Sequence, residues 1–292
     1  MKKTLIAMAA VAVAGVASAQ VTISGNLAFG FAGDTTSAGA STSGFGTDTS
    51  NVTLSASEDL GGGLSIKGTA SFENFQEDAA LAGTGTHIIL SGGFGSIDMS
   101  SDESGDYLPI DGLTSNGNGT KGDRITYTAP AFGPLTISVT AADDMGVIDA
   151  DVGNTVGKTT TVSATYTDGP LSVNFTSLDV NGAYASTLAG RTYAKVSYDA
   201  GVASVSYGIN KSDLATDNTE TGLSVTVPMG ALSVTAARST SKDVGSTTKS
   251  GVALTASYAL SKRTSIAYYN ESYETSGTSN TKEYSVLLKH AF

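Results

Sequence analysis

The chain has 292 residues, with 16 Lys and Arg against 27 Asp and Glu, a formal net charge of −11, and neither cysteine nor tryptophan. That balance excludes a nucleic-acid partner, which needs a basic face, and the missing thiols exclude disulfides, thiolate metal centres and cysteine nucleophiles. The length suits one large domain or two.

The first residues, MKKTLIAMAAVAVAGVASAQ, carry charge at Lys2 and Lys3, an apolar run from Leu5 to Val16 and small residues at Ala17 and Ala19 before Gln20. This is the plan of a cleaved secretory signal. The expected organisation is a leader over 1–19 and a single domain over 20–292. Without Lys2 and Lys3 the 16 basic residues become 14 against 27 acidic ones, so the exported chain carries −13. No later stretch approaches the ~18 continuous apolar residues of a spanning helix.

From Gln20 onward the alternation has period two, the mark of strands with one apolar face. In QVTISGNLAFGFAG, Val21, Ile23, Leu27, Phe29 and Phe31 share one face, and Thr22, Ser24, Asn26 and Ala28 the other. The pattern predicts 16 strands, near 21–32, 50–57, 63–73, 85–91, 95–101, 123–129, 134–142, 158–167, 170–179, 190–199, 201–211, 221–228, 231–239, 250–259, 263–274 and 282–292. Tight connections such as EDLGGG, GGFG, DGP and MG alternate with long polar ones, the longest from Ser100 to Gly122. Restarts such as GPLTI, GPLSV and GALSV recur roughly every thirty residues, so the repeating unit is a hairpin. Tyr127, Tyr166, Tyr198 and Tyr258 stand on the apolar faces just before the tight turns, where they would form an aromatic girdle.

A soluble β-sandwich also shows alternation and strand-end tyrosines. Its apolar faces must fill a core, however, and here they are Val, Leu, Ile, Ala and Tyr with few large aromatics. The expected fold is therefore all-β: a 16-stranded antiparallel transmembrane β-barrel, apolar outside and Ser/Thr/Asn-lined inside, with short periplasmic turns and long extracellular loops. The chain ends in mid-strand on EYSVLLKHAF, with Tyr284, Val286, Leu288, His290 and Phe292 on one face. In a closed barrel that last strand must pair with the first.

These pieces together resemble the general porins of the Gram-negative outer membrane. The resemblance rests on the leader, VTISGNLAFGF, SEDLGGGLSIKGTASFE, ILSGGFGSIDM and LLKHAF, and spans essentially the whole exported chain. It implies a homotrimer of water-filled barrels in the outer membrane, surrounded by membrane lipid and lipopolysaccharide, admitting small hydrophilic solutes without cofactor or reaction. It implies further that the terminal strand is read by the outer-membrane assembly machinery. In the family the third long loop, here Ser100 to Gly122, folds into the lumen and narrows it. Where family members often carry Gly-Arg-Gln after the fifth strand this chain has SSDES, with Ser101 in the place of the arginine.

That loop carries Asp102, Glu103, Asp106 and Asp111. In a constriction they would set a negative potential where screening is weakest; as ordinary loop residues they would merely be solvated. Parity places Arg124, Arg191 and Lys195 on the lumen side as a candidate basic wall opposite them; the bland alternative is a rim position, as expected for Lys158 and Arg238. GNTVGKTT has three residues between Gly153 and Gly157 where a phosphate loop needs four, and a strand follows instead of a helix. His87 and His290 offer too little for a metal site or a triad. Asp143, Asp144, Asp149 and Asp151 lack calcium-loop spacing and suit a solvated loop. The leading function is a diffusion channel whose negative charge favours cations. A plugged barrel serving as an adhesin is the competitor, separable by conductance, and a barrel enzyme lacks a Ser/His/Asp set.

Overall fold

A computed structural model describes residues 20–75, 80–102, 108–110, 113, 122–143, 158–181, 190–212, 218–243, 247–274 and 280–292. The strands in order are β1 (Gln20–Thr35), β2 (Ser41–Gly61), β3 (Leu64–Glu73), β4 (Ala82–Gly92), β5 (Gly95–Asp102), β6 (Gly122–Thr128), β7 (Leu135–Asp143) and β8 (Lys158–Asp168). They continue as β9 (Leu171–Asn181), β10 (Arg191–Asp199), β11 (Ser204–Ser212), β12 (Asn218–Met229), β13 (Leu232–Asp243), β14 (Lys249–Ala259), β15 (Thr264–Glu274) and β16 (Asn280–Ala291). Each pairs antiparallel with its sequence neighbours, and β1 pairs with β16, closing the barrel. The expected leader, 1–19, lies outside the described residues.

Alternation becomes two surfaces. The outer one exposes Ile23, Phe29, Ile125, Val252 and Leu288, each more than half accessible, a continuous apolar band unfit for water and suited to lipid. The inner one is built from Ser, Thr and Asn, many bonded across strands, as in Thr126 Oγ1 to Thr140 Oγ1 at 2.8 Å and Ser206 Oγ to Ser224 Oγ at 2.7 Å. At one end the hairpins close tightly, and Gly169 and Gly230 supply the positive φ, 53 and 65, that such turns require.

The closing seam joins Leu27 to His290, Phe29 to Leu288, Phe31 to Val286 and Gly33 to Tyr284. It runs to the last residue: Gly25 and Phe292 exchange both backbone hydrogen bonds, at 3.1 and 3.0 Å. Two glycines make room for rings there. A Cβ on Gly25 would lie 2.6 Å from Phe292 Cζ, and one on Gly33 2.6 Å from the Tyr284 hydroxyl oxygen. Each aromatic covers backbone that its glycine leaves bare.

The largest departure from the sequence pattern is β2, expected at 50–57 and found over Ser41–Gly61. STSGFGTDT reads as loop because small and polar residues hide its alternation. It is a strand because β1 extends to Thr35 and presents an edge that must be paired, with a bulge between Ala28 and Phe29 that leaves Asp48 without a register partner.

Candidate functional site

The third long loop leaves β5 and returns at β6. Inward parity on β4, β5 and β6 gathers four charged or titratable side chains at its root: His87, Asp98, Asp102 and Arg124, between 19 and 28% exposed. His87 Nδ1 lies 3.1 Å from Asp98 Oδ2, and its Nε2 3.3 Å from Asp102 Oδ2. A neutral imidazole can donate to only one of these carboxylates; the imidazolium can donate to both. Arg124 Nη2 sits 2.7 Å from Asp102 Oδ1 and also donates to the Asp102 backbone carbonyl. Oδ1 lies off the N–H directions, so this pair acts through charge more than through a directed hydrogen bond.

The loop's middle lands on the far wall. Leu108, Ile110 and Leu113 are buried, Ile110 completely. Their seat is one inward row in which Gly208 faces Gly222, Gly222 faces Ser239, and Ser239 faces Gly251. A Cβ on Gly222 would lie 2.5 Å from Pro109 Cδ, one on Gly208 3.0 Å from Leu108 Cδ2, and one on Gly251 3.3 Å from both Ile110 Cδ1 and Leu113 Cδ2. Tyr273 completes the apolar cluster with Ile110 and Leu113. β13 stands eight strands from β5 in the ring of sixteen. Residues 108–110 and 113 are therefore seated across the lumen from the strand that carries Asp102. Burying each large aliphatic side chain contributes about 1.5–3 kcal/mol, against the entropy of ordering the loop.

Beside the seat, towards the long-loop end, a polar row holds Asn210, Glu220 and Ser241. Glu220 is 1% exposed and accepts from Asn210 Nδ2 at 2.9 Å and Asn218 Nδ2 at 3.3 Å. The two amide donors satisfy oxygens that burial removes from water.

The remaining expected residues separate. Arg191 and Lys195 lie on the inward face of β10, and Lys195 pairs with Gly208 at the border of the seat. Arg124 does not oppose Asp102 across the lumen: β5 and β6 are adjacent, Ser100 pairs with Arg124, and the two charges touch. Glu103, Asp106, Asp111, Asp144, Asp149, Asp151, Gly153 and Gly157 lie outside the described residues; Asp143 ends β7 and pairs with Lys158. Arg238 is exposed on the outer face, paired with Leu223 and Val252. Tyr127, Tyr166, Tyr198 and Tyr258 are outward and exposed, within three residues of the short turns. The hydroxyl of Tyr127 donates to the Phe94 carbonyl at 2.8 Å, tying that ring to a turn. Among the described residues no cluster of His, Asp and Glu could hold a metal ion.

One feature escaped the sequence reading. Asp34, Glu283 and Glu271 face one another across the seam, in register on β1, β16 and β15, all inward. Thr42 donates to Asp34, and the Tyr273 hydroxyl donates to Glu283 Oε1 at 2.8 Å. Parity places each of them inside; only the register puts them in one row.

A closed barrel with an apolar exterior, a polar interior and a loop docked across its lumen defines a membrane channel protein of the outer-membrane β-barrel class. The Gram-negative porin family model matches residues 5–278, and the chain belongs to that family, whose place is the outer membrane. Among solved structures it is similar to an anion-selective porin from Comamonas acidovorans, with 20% identity over 94% of this chain and 100% of that one and a TM-score of 0.75. It is also similar to a loop L8 deletion form of OmpT, an outer membrane protein of Vibrio cholerae, with 12% identity, the same coverage and a TM-score of 0.72. A mutant of Rh. blastica porin gives 12% identity, 94% and 100% coverage and a TM-score of 0.69. At these identities the likeness is one of fold. None of the curated proteins compared with the chain matches it.

Proposed function

We propose that the chain forms a water-filled pore for passive diffusion of small hydrophilic solutes and ions, narrowed by the loop between β5 and β6, with a preference for cations. The observation that carries the reading is the loop itself, tethered by charge at Asp102 and seated by Leu108, Ile110 and Leu113 on the opposite wall. It narrows the barrel while the Ser/Thr/Asn lining stays wet. Cation preference rests on the acidic row Asp34, Glu283 and Glu271 and on the −13 charge of the exported chain. A cation about 4 Å from one such charge gains on the order of 1 kcal/mol even in water-like surroundings. The similarity to an anion-selective porin is one of fold and leaves the sign of selectivity to this chain's own charges.

The same reading includes removal of 1–19, a homotrimer, and recognition of the Phe292 strand by the assembly machinery. Single-channel conductance with reversal potentials across a salt gradient, at low ionic strength where screening is least, tests it. The expected result is an open channel with cations favoured several-fold. An anion-directed reversal potential would remove the cation preference, and absence of conductance from folded protein would remove the pore.

A further inference from the structure

The outer wall of an acidic protein should carry few cations where it meets lipid. Yet on β11–β13 three stand together on the outer face near the long-loop end: Lys211, Lys242 and Arg238, all exposed. Their outward direction follows from register. Lys211 shares its face with Val205 and Tyr207, and Arg238 pairs with Leu223 and Val252, all exposed to the outside. Lys211 and Lys242 both flank Thr219, which pairs with each of them, so they stand about 10 Å apart at the usual strand spacing. Between that row and Arg238 come Thr221 and Thr240, whose hydroxyls are 2.7 Å apart. Among the described residues of β11–β13 no carboxylate shares this face: Glu220 and Asp243 have inward parity. Elsewhere on the outer face Lys282 stands singly between Thr35 and Ser272.

A cation on the lipid face of a barrel is strongly unfavourable at the membrane midplane and costs little at the interface. The patch lies at the upper edge of the apolar band, where Arg238 can extend its guanidinium towards the headgroups while its stem stays in lipid. Two ammonium groups, a guanidinium that can grip a phosphate bidentately and sugar-compatible hydroxyls lie directly above apolar wall. We propose that this face is a binding site for the phosphorylated sugar headgroup of an outer-leaflet glycolipid, with its acyl chains on the band below. The choice of occupant rests on charge complementarity and on the outer-membrane location that the family establishes; it is independent of whether the pore favours cations.

The test uses the full-length, detergent-solubilised protein and purified bisphosphorylated lipopolysaccharide, with bound lipid counted by native mass spectrometry and affinity taken from a titration. Each basic residue near a charged lipid surface adds roughly 1 kcal/mol. Replacing Lys211, Arg238 and Lys242 together by Gln should therefore weaken binding on the order of tenfold or more. Lys262→Gln with Arg263→Gln, at the short-turn end, should leave binding unchanged. Dephosphorylated lipopolysaccharide should bind the parent chain as weakly as it binds the triple variant. If the triple variant fails to fold, the Lys211→Gln and Lys242→Gln single variants should each weaken binding several-fold. Unchanged affinity in the variants, or equal binding of the dephosphorylated lipid, would overturn the assignment. So would a variant that keeps its lipid and loses subunit association in light scattering, which would make the patch a contact between copies of the chain.

Discussion

The root of the lumen loop and its landing on the far wall are held by different physics. At the root, on β4–β6, His87, Asp98, Asp102 and Arg124 form a chain of polar and charged side chains partly open to water. At the landing, on β11–β14, Leu108, Ile110 and Leu113 press on a row of glycines and one serine with almost no access to solvent. A partly exposed ion pair is worth about 0–1 kcal/mol and weakens with salt. Close apolar contact is worth more per side chain and depends on shape. The landing therefore decides whether the loop lies across the lumen, and the root tunes the charge that an ion meets beside it.

That contrast can be broken first at the landing. Ile110→Ser with Leu113→Ser removes the buried cluster and should free the loop from the wall, since deleting one large aliphatic group typically costs about 2–5 kcal/mol. Single-channel records should then show higher and noisier conductance, with the barrel's own unfolding temperature nearly unchanged. Gly222→Val attacks the same contact from the wall side. Its new side chain meets Pro109 and Leu108, and overpacking of this kind costs about 1–3 kcal/mol, so a smaller rise in mean conductance is expected. Changes at the root should do less to conductance and more to charge. Arg124→Gln leaves Asp102 without its nearest cation and should move the reversal potential towards cations by a few-fold at most, on the scale of about 1 kcal/mol. Glu271→Gln with Glu283→Gln should move it the opposite way at unchanged conductance. An Arg124 variant that opened the pore as widely as the Ile110 and Leu113 pair would erase the distinction between root and landing.

Strands were legible wherever alternation survives in large side chains. β16 announces itself by Tyr284, Val286, Leu288 and Phe292, whereas the first half of β2 does not, because Ser41 to Thr49 offers only Phe45 as a large apolar residue. The acidic character of the third loop was legible as composition, and the inward direction of Arg191 and Lys195 as parity. The landing was not. Gly208, Gly222, Ser239 and Gly251 come from four strands and share no local pattern; only the register of three successive strand pairs brings them into one row. Register likewise turned Asp102 and Arg124 from expected opponents into neighbours, and aligned Asp34 with Glu271 through Glu283. Parity is a property of one strand, whereas a site on a barrel wall is a property of several.

The central claim, that the conducting channel has its loop seated on the far wall, can be tested in a chain free of native cysteine. Leu108→Cys removes the methyl that a Cβ on Gly208 would meet at 3.0 Å, so Leu108→Cys with Gly208→Cys places two thiols within reach of a short thiol-specific cross-linker. The account predicts that the pair is cross-linked in the assembled protein and that the bridged channel conducts as the unmodified one does. Failure of the pair to bridge in folded protein, or a conductance that changes markedly once it is bridged, would contradict it.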